Sequence, residues 1–392
     1  MMQRLIAITV SGLALATLAL PILAVPAQAL PRMTLTTSSR CSNCHINPQG
    51  SGPRNAMGFY ATAANGAVTW DKLGWQKFHE LSDNTFFGEK LEIGGDLRLQ
   101  MAKLGSPRWD NDGKLVEPDR MFIPMQDQVG LNFKALPWLS VAASFNPIGF
   151  LKSYAGQSLY DGWVQIQPSV ELPRLRVGMI QPGFGVRYDD HTLIIRRNPL
   201  ALGTPILPPF YNDLGAELAY EGLHWLSLDV AAVWANNLHL ANPDGVASGK
   251  LALSARATIY PQTQDWGINS WLGGSFLQSD KLTMYGGHVG LGKSYWGSIM
   301  AEAVWSQIAF GRETFSTLVQ VDHPLKEWLV LTGRWETGNG HSPGLAEADV
   351  QSYVAGIQFV PVPNIELRPE YRYLKTSSYL LAQYTLQLHA WF

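Results

Sequence analysis

Cys41, Ser42, Asn43, Cys44 and His45 follow one another in a 392-residue chain that has no other cysteine. The Cys-x-x-Cys-His spacing is that of covalent haem attachment. Thiols at this separation reach the two vinyl groups of one porphyrin, while the adjacent imidazole comes up beneath the iron as proximal ligand. Other chemistries also use paired cysteines. A disulfide across this separation closes too small a loop to constrain the unfolded chain much. A redox dithiol expects alternating strands and helices around it, and the flanking sequence does not read that way. A zinc site needs four ligands, and only His45 lies close by. Covalent haem is the reading that uses both thiols and the imidazole.

The residues after the motif suit a flat ligand. Ile46-Asn47-Pro48-Gln49-Gly50-Ser51-Gly52-Pro53-Arg54 is rich in glycine and proline, so its backbone carries few bulky groups and can lie against a ring. Arg54 is a candidate partner for a haem propionate, with a solvated turn residue as the alternative. For the second axial position the chain offers Met57 and His79 downstream and Met33 upstream. His79 is preferred to Met57, because Met57 leaves only a short loop to reach the opposite haem face, whereas His79 sits in an aromatic patch with Trp70, Trp75 and Phe78. A five-coordinate iron is the further alternative.

The compartment follows from the first residues. Arg4 precedes an apolar run from Leu5 to Val25, and Ala27-Gln28-Ala29 is a small-x-small pattern, so residues 1–29 read as a signal peptide cleaved after Ala29. The helix-breaking Pro21 and Pro26 favour this over an uncleaved anchor helix. Lys+Arg number 29 against 31 Asp+Glu, too balanced for a protein that grips nucleic acid through its phosphates. With 46% apolar residues and 15% charged, the chain is not of disordered type. Beyond the signal peptide no apolar run approaches the roughly 18 residues of a spanning helix.

Strands must therefore position the motif. From Lys90 to Phe392 the hydropathy alternates with period two. Leu91, Ile93, Leu97, Leu99 and Met101 alternate with Glu92, Asp96, Arg98 and Gln100; near the end, Leu380, Ala382, Tyr384, Leu386 and Leu388 alternate with Gln383, Thr385, Gln387 and His389. Strands are expected at 90–103, 122–135, 138–148, 160–169, 174–184, 213–222, 225–236, 250–261, 267–278, 282–293, 296–309, 313–323, 327–338, 350–361, 364–375 and 379–392. Odd-numbered connections include the long ones, 104–121, 149–159, 185–212, 237–249 and 339–349, and even-numbered ones are short. An even number of strands with long loops on one rim and tight turns on the other is the pattern of an all-β, transmembrane antiparallel barrel of about 16 strands. Trp138, Trp163, Trp225, Trp328 and Trp391 fall near expected strand ends, where interfacial girdles place aromatics. Glu92, Asp96, Arg98, Arg334, Glu336, Glu366, Arg368, Glu370 and Arg372 are expected to face the lumen as a largely structural lattice of mixed charge. Three segments result: 1–29 signal peptide, 30–89 haem segment, 90–392 barrel. Sixty residues build a poor core alone, so the haem segment is expected to plug or abut one mouth of the barrel.

With a signal peptide, one Cys-x-x-Cys-His near the N-terminus, a porin-like barrel and a terminal Phe392, the chain resembles the fused monohaem cytochrome-porins of the bacterial outer membrane, whose best-known members are iron oxidases. The resemblance covers the mature chain in architecture and is specific at Cys41, Cys44 and His45. Leu35-Thr36-Thr37-Ser38-Ser39-Arg40 stands where the iron oxidases have a Phe-Ala-Arg-Gln-Thr-Gly type of segment. The resemblance implies one covalent haem c and electron transfer between an extracellular donor or acceptor, such as Fe(II), and a periplasmic cytochrome or other soluble carrier, in a barrel seated in outer-membrane lipid and open to oligomerisation. A diffusion porin with a haem-bearing plug or sensor, and a barrel that sheathes a separate multihaem cytochrome, are the alternatives. In the longest loop Asp189, Asp190 and His191 offer donors suited to Fe(II), although an inward-folded constriction loop is the favoured reading of that segment. Trp109-Asp110-Asn111-Asp112-Gly113 lacks the downstream Glu of a Ca²⁺ loop and reads as a solvated turn.

Overall fold

The computed structural model describes residues 31–62, 65–75, 84–103, 108–116, 119–146, 159–188, 192–208, 211–261 and 266–392. Sixteen of its strands close into one antiparallel barrel. They are β1 (Leu91–Lys103), β2 (Met121–Leu136), β3 (Leu139–Phe145), β4 (Tyr160–Ile166), β5 (Arg174–Ile180), β6 (Asp213–Tyr220), β7 (Leu226–Trp234), β8 (Leu251–Ile259), β9 (Asn269–Ser279), β10 (Leu282–Lys293), β11 (Gly297–Ile308), β12 (Arg312–Lys326), β13 (Leu329–His341), β14 (Ala348–Val362), β15 (Ile365–Thr376) and β16 (Leu380–Trp391). Each strand pairs with its neighbours in sequence, and the ring closes where β1 pairs with β16, Asp96 opposite Trp391 through Lys103 opposite Tyr384. Closure leaves no sheet edge with unpaired backbone groups, the condition for crossing a membrane with strands. No helix among the described residues is long and apolar enough to cross one.

Alternation is realised with the apolar face outward. On β16, Leu380, Tyr384 and Leu386 are exposed while Gln383, Thr385, Gln387 and His389 are buried. Leu253, Leu272, Leu291 and Ile357 lie on the outside too, each 41–55% exposed. A soluble sandwich would bury these and expose the polar set, so burial of the polar face is the signature of a lumen. Trp138 and Trp225 are exposed, as a girdle requires, but Trp163 and Trp391 are not: both are buried and point inward. Period-two alternation explains the error, since a residue near a strand end belongs to either face according to its parity. Asp110 Oδ1 accepts the backbone N–H groups of Asp112 and Lys114 at 3.0 and 2.7 Å, so the Asp-rich run is a turn that satisfies its own carboxylate.

A porin-sized barrel of this strand number ordinarily encloses an aqueous channel. Here two chain segments fill it. From the rim of short turns enters the N-terminal segment, with α1 (Pro31–Thr37), α2 (Cys41–Cys44) and α3 (Ala56–Tyr60). It is tied to that rim: Asn269 donates to the carbonyl of Leu35 at 2.8 Å, Trp271 donates to Thr34 at 3.0 Å, Arg40 donates to the carbonyls of Glu221 and Leu223, and Ala67 donates to the carbonyl of Val360. From the rim of long loops the β5–β6 connection turns inward. Phe184, Val186, Ile195, Leu207 and Tyr211 are buried within it, and Arg196 pairs with lumen Glu302 at 3.2 Å. The inward-folded reading of this loop therefore holds for its described part. The lattice of mixed charge also forms: Arg98 pairs with Asp96 at 3.1 Å, Arg334 with Glu336 at 2.9 Å and Arg368 with Glu370 at 2.8 Å, while Arg372 donates to the carbonyl of Thr192 in the loop.

The most deeply buried of these pairs is Arg176 on β5 with Glu217 on β6, both with no side-chain exposure, joined by a two-pronged contact at 2.9 and 2.8 Å. Removing one partner strands a buried charge, at a cost of about 3–5 kcal/mol. Arg176→Met is therefore expected to lower the temperature at which the folded barrel converts to its slow-migrating unfolded form on a gel, and Arg176→Met with Glu217→Leu to recover part of the loss. An unchanged transition in the single variant would contradict the pairing.

Candidate functional site

The Cys41–His45 motif lies inside the barrel, and its local structure is set by its own sequence. Cys41–Cys44 make one helical turn, and the N–H of His45 still donates to the carbonyl of Cys41 at 3.1 Å before the chain extends. One turn places the two thiols on neighbouring positions of one face. Beyond it, His45 and Arg54 form an antiparallel bridge that closes a loop over Ile46–Pro53. Asn47 caps the tip of that loop, accepting the N–H of Gln49 on its side chain and that of Gly50 on its carbonyl. Gly50 has φ +90°, and a Cβ there would sit 3.3 Å from the Cys41 sulfur. Asn55 then starts α3 by accepting the N–H of Gly58 at 2.9 Å, an N-cap. A Cβ on Gly58 would lie 2.0 Å from the carbonyl oxygen of Cys44, so only glycine lets α3 lie against the motif.

The wall holds this loop by a polar network. The amide of Gln49 donates to Glu217 at 2.9 Å and to Asp229 on β7 at 2.8 Å, and its oxygen accepts from Arg256 on β8. Arg256 pairs with Asp229 at 3.0 Å, and Arg176 donates to Asn47 at 3.0 Å. Ser42 donates to Glu221 at 2.9 Å.

Cys41 and Cys44 are not joined in a disulfide. With His45 they line a cavity, open at its mouth, between the N-terminal segment, the inward loop and strands β7–β10. Both thiols and the imidazole open onto this one space. The donor set fits one porphyrin: paired thiols, an imidazole, a glycine where a side chain would crowd Cys41, and the guanidinium groups of Arg40, Arg187 and Arg256 for two propionates. A further cavity, of about 950 Å³, reaches His45 from the short-turn rim past Arg174 and Lys134.

The other nominated residues fare differently. Arg54 is buried but does not line this cavity; its guanidinium lies 4.3 Å from the ring centre of Trp391, whose indole N–H donates to Thr62. Burial pulls Arg54 down to about 10, although Asp96 nearby opposes this. It is a cation–π clamp between the N-terminal segment and the last strand, and Arg40, Arg187 and Arg256 are the cavity's arginines instead. Met57 is 62% exposed on α3 and does not line the cavity. His79 lies outside the described residues, as do Asp189, Asp190 and His191. Among the described residues no group of three or more His, Cys, Asp or Glu side chains could hold a metal ion. His288 on β10 and Met33 on α1 do line the cavity. Arg256 and His288 carried a sequence signal only as polar residues on the lumen face of alternating strands, which marks orientation and not depth.

No protein-family model matches the chain, and no curated protein matches it in sequence. Among solved structures it is similar to OmpT, an outer membrane protein of Vibrio cholerae, at TM-score 0.52 and 10% identity over 77% of this chain and 97% of that one. A loop L8 deletion mutant of OmpT gives TM-score 0.54 and 11% identity, covering 77% of this chain and 99% of the other. The outer membrane channel DcaP of Acinetobacter baumannii gives 0.51 and 13%, covering 77% and 97%. The likeness is one of fold: a transmembrane β-barrel of the outer-membrane type.

Burial raises the Cys44 thiol, with Arg54 partly opposing the shift. A raised value keeps the group protonated, and only the thiolate reacts. In chain produced without haem maturation, alkylation of Cys44 by iodoacetamide is expected to be slower than that of an unstructured peptide thiol at about pH 8. Its rate should still climb about tenfold per pH unit there, as a largely protonated thiol does. A rate that has levelled off by then would contradict the buried position.

Proposed function

We propose that the chain carries one covalent haem c on Cys41 and Cys44, with His45 as proximal ligand, and moves electrons across the bacterial outer membrane. The observation that carries this reading is the cavity that brings both thiols, the imidazole and three arginines together inside an insulating wall. When bound, the haem supplies the one-electron couple. The chain's own residues do the rest. Gln49, Arg176 and Arg256 hold the attachment loop to the wall, and the inward loop and Arg54–Trp391 clamp close the lumen on either side. Arg40 and Arg256 offer cationic partners to the propionates, which sets the charge around the site.

The short-turn rim, where the barrel's ends meet, is the periplasmic side in this orientation. The cavity past Arg174 and Lys134 then gives a soluble periplasmic carrier an approach toward His45. The long-loop rim faces an external donor or acceptor such as Fe(II). Export with cleavage after Ala29 and membership among the fused cytochrome-porins belong to this same reading. The alternatives are a diffusion porin whose N-terminal segment is a haem-bearing plug or sensor, which fits the fold of the solved neighbours at least as well, one of them described as a channel, and a barrel that sheathes a separate multihaem cytochrome.

Purified protein in liposomes that enclose a redox dye separates these. External Fe(II) is expected to reduce the enclosed dye, and His45→Ala to abolish the reduction. Leakage of small solutes with no dye response, or dye reduction that survives His45→Ala, would overturn the proposal.

A further inference from the structure

We infer that the second axial ligand of this haem is His288, donated by the barrel wall and not by the N-terminal segment; the inference rests on the haem reading above. His288 is 5% exposed and lines the same cavity as Cys41, Cys44 and His45, and among the described residues His45 and His288 are the histidines that do so. The barrel has made a place for its ring. Gly273 stands opposite on β9, and a Cβ there would come within 2.3 Å of the imidazole. Trp271 meets the ring edge-on with centroids 5.4 Å apart, and Thr258 Oγ1 lies 3.2 Å from one ring nitrogen. The other nitrogen, Nδ1, is buried without a hydrogen-bond partner.

A buried unsatisfied nitrogen costs about 1–3 kcal/mol and calls for a reason. One ring nitrogen held by a neighbour while the other is left for a metal is the usual arrangement of a ligating histidine. A flipped ring would set Cε1 in place of Nε2 against Thr258 and lose that hydrogen bond, so the contact fixes the orientation that leaves Nδ1 free. Met33 is the competitor inside the cavity, but its thioether sits on α1, in the same segment as the attachment cysteines. A ligand from β10 does something Met33 cannot: it bonds the N-terminal segment, through the iron, to the wall. Haem loading would then lock the segment in place.

The test is spectroscopic and uses full-length protein from a host that matures c-type haem. The ferric wild type should show low-spin, bis-imidazole absorption and electron paramagnetic resonance spectra. His288→Ala should convert to high spin and return to low spin with added imidazole, and Met33→Ala should leave the spectra unchanged. Should His288→Ala fail to fold, the wild type decides alone, because a thioether-to-iron charge-transfer band or a high-spin resting state in it overturns the assignment. Low-spin spectra that persist in folded His288→Ala overturn it too. A wild type that carries no haem is a different result, and removes the haem reading itself.

Discussion

A barrel of this girth encloses more space than its own side chains fill, and what occupies the space is decided by one polar network. Gln49 from the attachment loop, Arg176 and Glu217 from β5 and β6, and Asp229 and Arg256 from β7 and β8 share hydrogen bonds at depth in the lumen. Each of these charges is costly to bury alone, and each is matched. Without Gln49 the wall would retain paired charges but lose the groups that reach inward to the motif. With it, the thiols and imidazole are fixed between the wall and the inward loop.

Diffusion and electron relay ask different things of such a lumen. Diffusion needs a continuous wet path, whereas an electron relay needs a redox centre near both faces and a low-dielectric sheath around it. Filling from both rims, by the N-terminal segment below and the β5–β6 loop above, suits the second. Among the buried apolar side chains of the loop, Val186 lines one side of the cavity, while the side toward the short-turn rim keeps a charged opening at Arg174 and Lys134.

Much of this was readable in the residue order. All sixteen strands fall within a few residues of their expected limits, because alternation over about ten residues and turn chemistry at Pro137 and Pro363 are local signals, whereas Pro324 lies within β12 and the turn comes three residues later. The lumen faces of β1, β13 and β15 followed from parity. What could not be read was contact between segments far apart in sequence. Gln49 and Glu217 are 168 residues apart, and Arg54 and Trp391 lie at opposite ends of the chain. Arg54 was assigned to a propionate by nearness to the motif, but the bridge with His45 turns it toward the last strand. Met57 follows the motif closely, yet the capped turn of α3 points it to solvent. His288 had no distinguishing neighbour in sequence, since its partners Thr258 and Trp271 come from other strands.

The proposed function requires one porphyrin bonded covalently to Cys41 and Cys44. Intact-mass spectrometry of the denatured chain, purified from a host competent in c-type haem maturation, tests it most directly. One thioether-linked haem predicts a mass equal to the mature polypeptide plus one haem, with the added mass confined to the peptide that contains Cys41–His45. A polypeptide at its bare mass, with both thiols open to alkylation after denaturation, would contradict it.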